Sequence, residues 1–191
     1  MLGWLLAVPI SVVLAQQGYS SVGERFGVSI YRRDQSSAIE LAAVGDFDAA
    51  PARVHQLLLD VGRHPGWVKN LAESRVLLRK TSSIVVYQRL DLPILSDRDF
   101  TLQLTWGKTG QALWVRFHVA NQLGPPPKSG IVRLTTHEGS WELEPIRNGA
   151  ATRAFYRVRI DIAGPVPQWL ARSRTAKDIA GHFEAMRAQL R

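Results

Sequence analysis

The chain contains no cysteine. Disulfides, thiolate zinc sites, cysteine nucleophiles and iron–sulfur clusters are excluded together. The five histidines, His55, His64, His118, His137 and His182, show no HExxH or other ligand spacing, so no metal site is expected. There is no G-x-S-x-G elbow, no glycine-rich phosphate loop and no dinucleotide fingerprint. That removes an α/β-hydrolase and the common nucleotide cofactors, and no cofactor is expected. No apolar run reaches the ~20 residues of a membrane-spanning helix.

What remains is an ordinary globular composition. The chain has 191 residues, 46% hydrophobic and 21% charged, enough for one domain with its own core. Net charge is +8, but the arginines are spread thinly, and "YRRD" and "RVRID" are the densest runs. Nucleic-acid binders concentrate charge on one element, so nucleic acid is not an expected partner. A generally basic surface suits mild, transient contact with anionic lipid headgroups. An arginine-rich proteome produces the same balance.

Leu2 to Ala15 is apolar and uncharged. The run is short for a span and suits a signal-peptide core, with Val13 and Ala15 at the −3 and −1 positions of a cleavage site. Residues 1–15 are expected to be a signal peptide or an uncleaved anchor; a buried N-terminal helix is the competing reading, and the polar Gln16–Ser21 break argues against it. Export to the periplasm or medium follows, with one monomeric domain over residues 19–191.

Alternation marks strands at "GVSIYRR", residues 27–33, and "IELAAVGDFD", residues 39–48. Asp48 is placed to cap a helix that starts at Pro51 and carries Val54, Leu57, Leu58 and Val61 at helical spacing. From Ser74 the pattern is almost all strand, with a hairpin signal at "GKTG" and a stiff loop at "QLGPPPKSG". "IVRLTTHEGSWELEPI" reads as two strands joined near Glu138–Gly139. After "ATRAFYRVRIDIA", a helix of about 25 residues is expected to close the chain, with Trp169, Ala176, Ala180, Phe183, Met186 and Leu190 on one face and Gly181 at its middle. The absence of βαβ alternation predicts an antiparallel meander. A long one-sided helix must bury its apolar face against that meander. A curved sheet around such a helix leaves room for a cavity.

Several segments, in order, resemble START domains of the helix-grip superfamily. They are "GVSIYRR", "FDAAPARVHQLLLDVGRHPGWVKNLAESRVL", "LDLPILSDRDFTLQLTW", "SGIVRL", "WELEPI" and "ATRAFYRVRIDIAGPVPQWLA". The match runs from about Gly27 to Leu190. Ahead of the first strand, the family's tryptophan-containing helix is cut to a few residues. The resemblance implies an α+β helix-grip fold, a curved antiparallel sheet wrapped around a C-terminal helix. It implies non-catalytic binding, and possible transfer, of a lipid or sterol-like molecule.

"SDRDF" then poses a specific question. By alternation Arg98 shares the side of Phe100, with Asp97 and Asp99 on the other. A buried guanidinium needs a carboxylate or an anionic ligand group, and Asp91 and Glu142 are candidate partners for Arg98. The alternative is a strand-start anchor whose charges bond loop backbone. The expected cavity residues are Trp67, Arg98, Phe100, Trp106, Tyr156, Val158, Ile160, Phe183 and Met186. For each aromatic, including Trp114 and Trp141, core packing is the competing role. Gln122–Gly130 and the "AGPVP" junction are candidate lids. A cyclase on the same scaffold, acting on a polyketide-like substrate, is the alternative function. It needs titratable groups inside the cavity, with Arg98, Tyr87 and His118 as candidates. A cavity filled by the protein's own side chains would mark a ligand-free module instead.

Overall fold

The computed structural model describes residues 10–34, 38–93, 95–163 and 168–191, and of 10–12 and 168–176 the backbone alone. A short helix, α1 (Ile10–Gln16), is followed by β1 (Ser20–Arg25), β2 (Val28–Arg33) and β3 (Ile39–Phe47). Then come α2 (Pro51–Leu59), a 3-10 turn (Val61–Gly66), β4 (Leu71–Arg79), β5 (Ser83–Leu90), β6 (Arg98–Thr109) and β7 (Ala112–Val119). β8 (Val132–Arg133), β9 (His137–Ile146), β10 (Ala151–Ile160) and α3 (Gln168–Leu190) complete the chain. The strands form one open sheet in the order β1-β2-β3-β10-β9-β7-β6-β5-β4, antiparallel throughout, with β8 alongside β6 in parallel. This is the curved sheet and C-terminal helix of the helix-grip fold.

Three local expectations are corrected. β1, "SSVGER", is exposed along its whole length and carries no alternation to read. The break in "IVRLTTHEGSWELEPI" falls before His137, so Glu138 and Gly139 lie within β9. Gly139 is needed there, because a Cβ would stand 2.2 Å from the Arg157 carbonyl and 2.6 Å from the Phe117 ring. Asp48 does not cap α2. The cap position is Ala50, without a side-chain bond, and Asp48 instead pairs with Arg147 at 2.6 Å.

α3 is held against the sheet by aromatic packing. Phe183, fully buried, stacks on Phe47 at 5.3 Å and meets Trp141 at 5.3 Å. A Cβ on Gly45 would lie 3.0 Å from the Phe183 ring, so glycine lets the helix sit close to β3. Arg187 donates to the carbonyls of Asp46, at 2.9 Å, and Phe26, at 2.6 Å. Arg53 of α2 donates to the Leu190 carbonyl at the end of α3, satisfying an acceptor that the helix itself leaves unpaired. Gly181 has nothing within 4 Å of where a Cβ would stand and no positive φ, so it serves no close approach. Gly181→Ala is expected to stabilise the fold by about 0.5–1 kcal/mol, read as a rise in the urea midpoint at constant slope.

All three charges of "SDRDF" are accounted for structurally. Asp97 pairs with Arg89. Arg98 donates to the backbone carbonyls of Ser96, Ile162 at 3.2 Å and Ala163 at 3.1 Å. Among the described residues no carboxylate partners it, and neither Asp91 nor Glu142 takes that role. It anchors the start of β6 to the end of the β10 segment that leads into α3. Asp99, wholly buried, receives two bonds from Arg133, at 2.9 and 2.7 Å, and one from the Tyr87 hydroxyl at 3.1 Å. Burial raises the Asp99 pKa, but the Arg133 and Tyr87 bonds outweigh it and hold the carboxyl below its usual range. Arg133 also donates to the Pro125 carbonyl at 2.7 Å. A Cβ on Gly124 would fall 1.9 Å from the Thr101 hydroxyl. The proline-rich loop is therefore packed down on the convex face. It does not cover the concave side, and its expected role as a lid is withdrawn. Gly164–Pro167 of the other candidate lid lies outside the described residues, as do the side chains of Trp169 and Ala176.

Candidate functional site

Inward-facing residues of the sheet, the 3-10 turn and α3 enclose a cavity of about 550 Å³. β6 contributes Phe100, Leu102 and Leu104, and β7 contributes Val115 and Phe117. β9 and β10 contribute His137, Trp141, Tyr156, Val158 and Ile160. Two-residue periodicity explains these sets, since successive inward side chains line one face of each strand. On α3 the bordering residues are Lys177, Asp178, Ile179, Gly181, His182 and Ala185, most of them spaced three and four apart on one helical face.

Of the sequence-derived candidates, Trp67, Phe100, Tyr156, Val158 and Ile160 border this cavity. Phe183 and Met186 do not. Both are fully buried on the adjacent face of α3 with Ala180 and Leu190, in the core. Trp106 also points inward but packs against the core beyond Leu104, at the end of the sheet where α2 lies over β7 and β9. Arg98 is spent on backbone carbonyls. Nor do the titratable groups expected for a cyclase face the cavity. Tyr87 bonds Asp99 on the convex face, and His118 is exposed.

The polar groups that do border the cavity are different ones. Gln88, the register partner of Phe100, gives its amide nitrogen to Ser74 at 3.1 Å. The His137 ring meets the edges of Phe100 and Phe117 at 4.7 and 5.4 Å. Its Nδ1 is enclosed without a partner. Burial pushes the His137 pKa down to about 4. His182 falls to about 4, mainly through burial and secondarily through His64. Burial pushes the Tyr156 phenol upward. All three side chains are therefore neutral near pH 7, and no hydrogen bond joins them to another described side chain. His64, Trp67, His182, Trp141 and Tyr156 form a chain of ring contacts, from 4.3 Å for Trp141–Tyr156 to 5.9 Å for Trp141–His182. At the rim, Lys69 bridges to Asp178 at 2.9 Å, joining the segment before β4 to α3.

An apolar cavity under a gripped helix matches known proteins along most of the chain. The model of a family described as "Polyketide cyclase / dehydrase and lipid transport" matches residues 47–187. The chain belongs to that family. Among solved structures, a STAR-related lipid transfer protein from Xanthomonas axonopodis is 26% identical. It covers 91% of this chain and 98% of its own, at a TM-score of 0.82. Human StAR-related lipid transfer protein 5 is 16% identical over 95% of this chain and 94% of its own, at 0.78. The Zhui aromatase/cyclase from Streptomyces sp. R1128 is 11% identical over 79% of this chain and 92% of its own, at 0.60. The last two likenesses speak to fold alone. No curated protein matches the chain. Within this family's fold, the START resemblance read from the ordered motifs corresponds to the strands and helix found.

Proposed function

We propose that the protein binds a hydrophobic molecule in the cavity beneath α3 and carries it without chemical change. One observation supports this above others. About 550 Å³ of space walled by Phe100, Leu102, Leu104, Val115, Phe117 and Val158 is left unfilled by the described residues, against the close packing of ordinary interiors. Its size lies within the ~300–1,000 Å³ of sites that enclose one small ligand. Hydrocarbon entering from water gains about 0.8 kcal/mol per buried methylene. A lipid leaving a bilayer gains little, so the protein acts as a carrier across water. The basic surface supports brief contact with anionic membranes, and the Leu2–Ala15 run supports export.

Native mass spectrometry of the full-length gene product, purified without detergent, tests this reading. A co-purifying lipid of defined mass on a single chain is expected, and the chain mass itself should begin at Gln16. Ala185→Trp, which puts an indole into the cavity from α3, is expected to lower lipid uptake at least about tenfold. An empty wild-type protein that also takes up no sterol, fatty acid or phospholipid would overturn the carrier reading. A chain retaining Leu2–Ala15 would overturn cleavage after Ala15.

Cyclisation chemistry is the second reading, favoured by one observation. Tyr156 and His182 face the same cavity with ring centroids 6.4 Å apart, a hydroxyl and an imidazole suited to proton transfer. Conversion of a polyketide-like substrate by the wild type, abolished in Tyr156→Phe, would establish it. No conversion would remove it.

A further inference from the structure

Four of the polar groups that line the cavity fall at two levels along β9 and β10, while His64, Lys69, Asn70, Lys177 and Asp178 lie on the 3-10 turn, the segment before β4 and α3. His137 is the register partner of Ile160, and Trp141 is the register partner of Tyr156. Four residues of β9 separate the two levels, about 13 Å at 3.3 Å per residue. The first level holds His137 and Gln88, on either side of Phe100. The second holds Tyr156 and His182, beside Trp141. Between them the wall is apolar, with Val158 facing inward and Gly139 opposite it.

Buried hydrogen-bonding groups are ordinarily paired. Here the half-buried His137, Tyr156 and His182 side chains have no hydrogen-bond partner among the described residues, and His137 Nδ1 is fully enclosed. The Gln88 amide bonds Ser74 through its nitrogen and leaves its oxygen over. With His137 Nδ1 enclosed, Nε2 is the ring atom left to meet a ligand. The charged groups at the rim are Lys69, bound to Asp178, and the exposed Lys177. Neither lysine belongs to either level, and Lys69 is already paired, so an anionic headgroup held at a level leaves water without a carboxylate-binding partner there, which is costly. At about 550 Å³ the cavity lies within the ~300–1,000 Å³ of sites that take one small ligand, a size that suits one chain or one fused-ring skeleton.

We propose that the ligand is an uncharged single-chain or fused-ring molecule oxygenated at both ends. One oxygen meets His137 and Gln88, and the other meets Tyr156 and His182, about 13 Å away. This assignment rests on the carrier reading and adds the ligand's chemistry to it.

The test compares 1-decanol, 1,10-decanediol and decanoate, read by the fluorescence of the wall tryptophans Trp67 and Trp141. The diol's oxygens reach the required separation when its chain is extended. In a plain apolar cavity the diol binds much more weakly than decanol, because its second hydroxyl must leave water. Here the diol is expected to bind at least as tightly as decanol, and at least about tenfold more tightly than decanoate. His137→Phe keeps a ring between Phe100 and Phe117 and removes the unpaired nitrogen. It is expected to lower the diol-to-decanol affinity ratio about tenfold. Tyr156→Phe, acting at the other level, is expected to do the same. A ratio unmoved in both variants, or decanoate binding as well as the diol, would overturn the assignment and leave the carrier reading intact. Failure of every probe to bind the wild type would overturn both.

Discussion

Replacing Arg133 with methionine is expected to cost the fold about 3–5 kcal/mol. The Asp99 carboxylate is buried between β6 and the convex-face loop, and its charge is balanced there chiefly by Arg133 through two bonds, with Lys128 adding a weaker attraction. Removing the guanidinium leaves that charge enclosed. It also frees the Pro125 carbonyl and the loop packed over Thr101. Tyr87, whose pKa is pushed up to about 12 by burial and then by Asp99, still donates one bond but supplies no charge. Urea denaturation at pH 7 reads the loss. The double variant Arg133→Met, Asp99→Leu is expected to recover much of it, because no charge is then stranded. Equal stability of wild type and Arg133→Met would contradict this account of the motif.

Acid is expected to destabilise the protein well above the range in which carboxylates titrate. His137 and His182 have folded pKa values of about 4 against an ordinary 6.5, both lowered chiefly by burial. The unfolded chain therefore binds more protons than the folded one between those values, and stability is lost as pH drops through that window. Below the folded values no further loss comes from these rings. Each ring contributes up to about 3 kcal/mol at full effect. His64 and His55 are also lowered by burial and act in the same direction. Asp99, held low, weakens only below the carboxylate range. Thermal unfolding followed from pH 7 to pH 4 should show the decline, and His137→Phe combined with His182→Phe should flatten it. A flat wild-type profile would mean that these rings are not held neutral by burial.

The contrast between fold and cavity shows what a pattern in sequence can carry. Strands announced themselves wherever one face was buried, as in "FTLQLTW" and "AFYRVRI". β1 did not, because both of its faces meet solvent. Phe100, Tyr156, Val158 and Ile160 were found by the same alternation that builds the core. On α3 that logic pointed to the wrong stripe. Phe183 and Met186 are the most apolar positions because they are the most tightly packed. The stripe that borders the cavity runs through Lys177, Asp178, Ile179, Gly181, His182 and Ala185, one large apolar residue among small and polar ones, and periodicity does not single it out. His137 was visible only as one of five histidines, and its placement depends on where β9 begins. Arg98 and Asp99, adjacent in sequence, differ in their partners because alternation sends them to opposite faces. The partners themselves, Arg133 and two carbonyls beyond β10, lie 34 to 65 residues away.

The strand order also governs how the chain can assemble. β3 lies between β2 and β10, pairing Phe47 with Thr152 and Ile39 with Ile160. Its second neighbour is thus made more than a hundred residues after it, and α3 follows later still. Local hairpins such as β4–β5 and β6–β7 can form early, but closing the sheet at β3–β10 must bear the loop-closure cost of most of the chain. Non-local pairing of this kind slows folding. During synthesis the β1–β3 and β4–β9 halves wait with unpaired edges, β3 on one side and β9 on the other. β10, the strand that joins them, also carries three of the residues that wall the cavity. Completion of the sheet and completion of the binding wall are therefore one event, and a chain interrupted before Ala151 has neither.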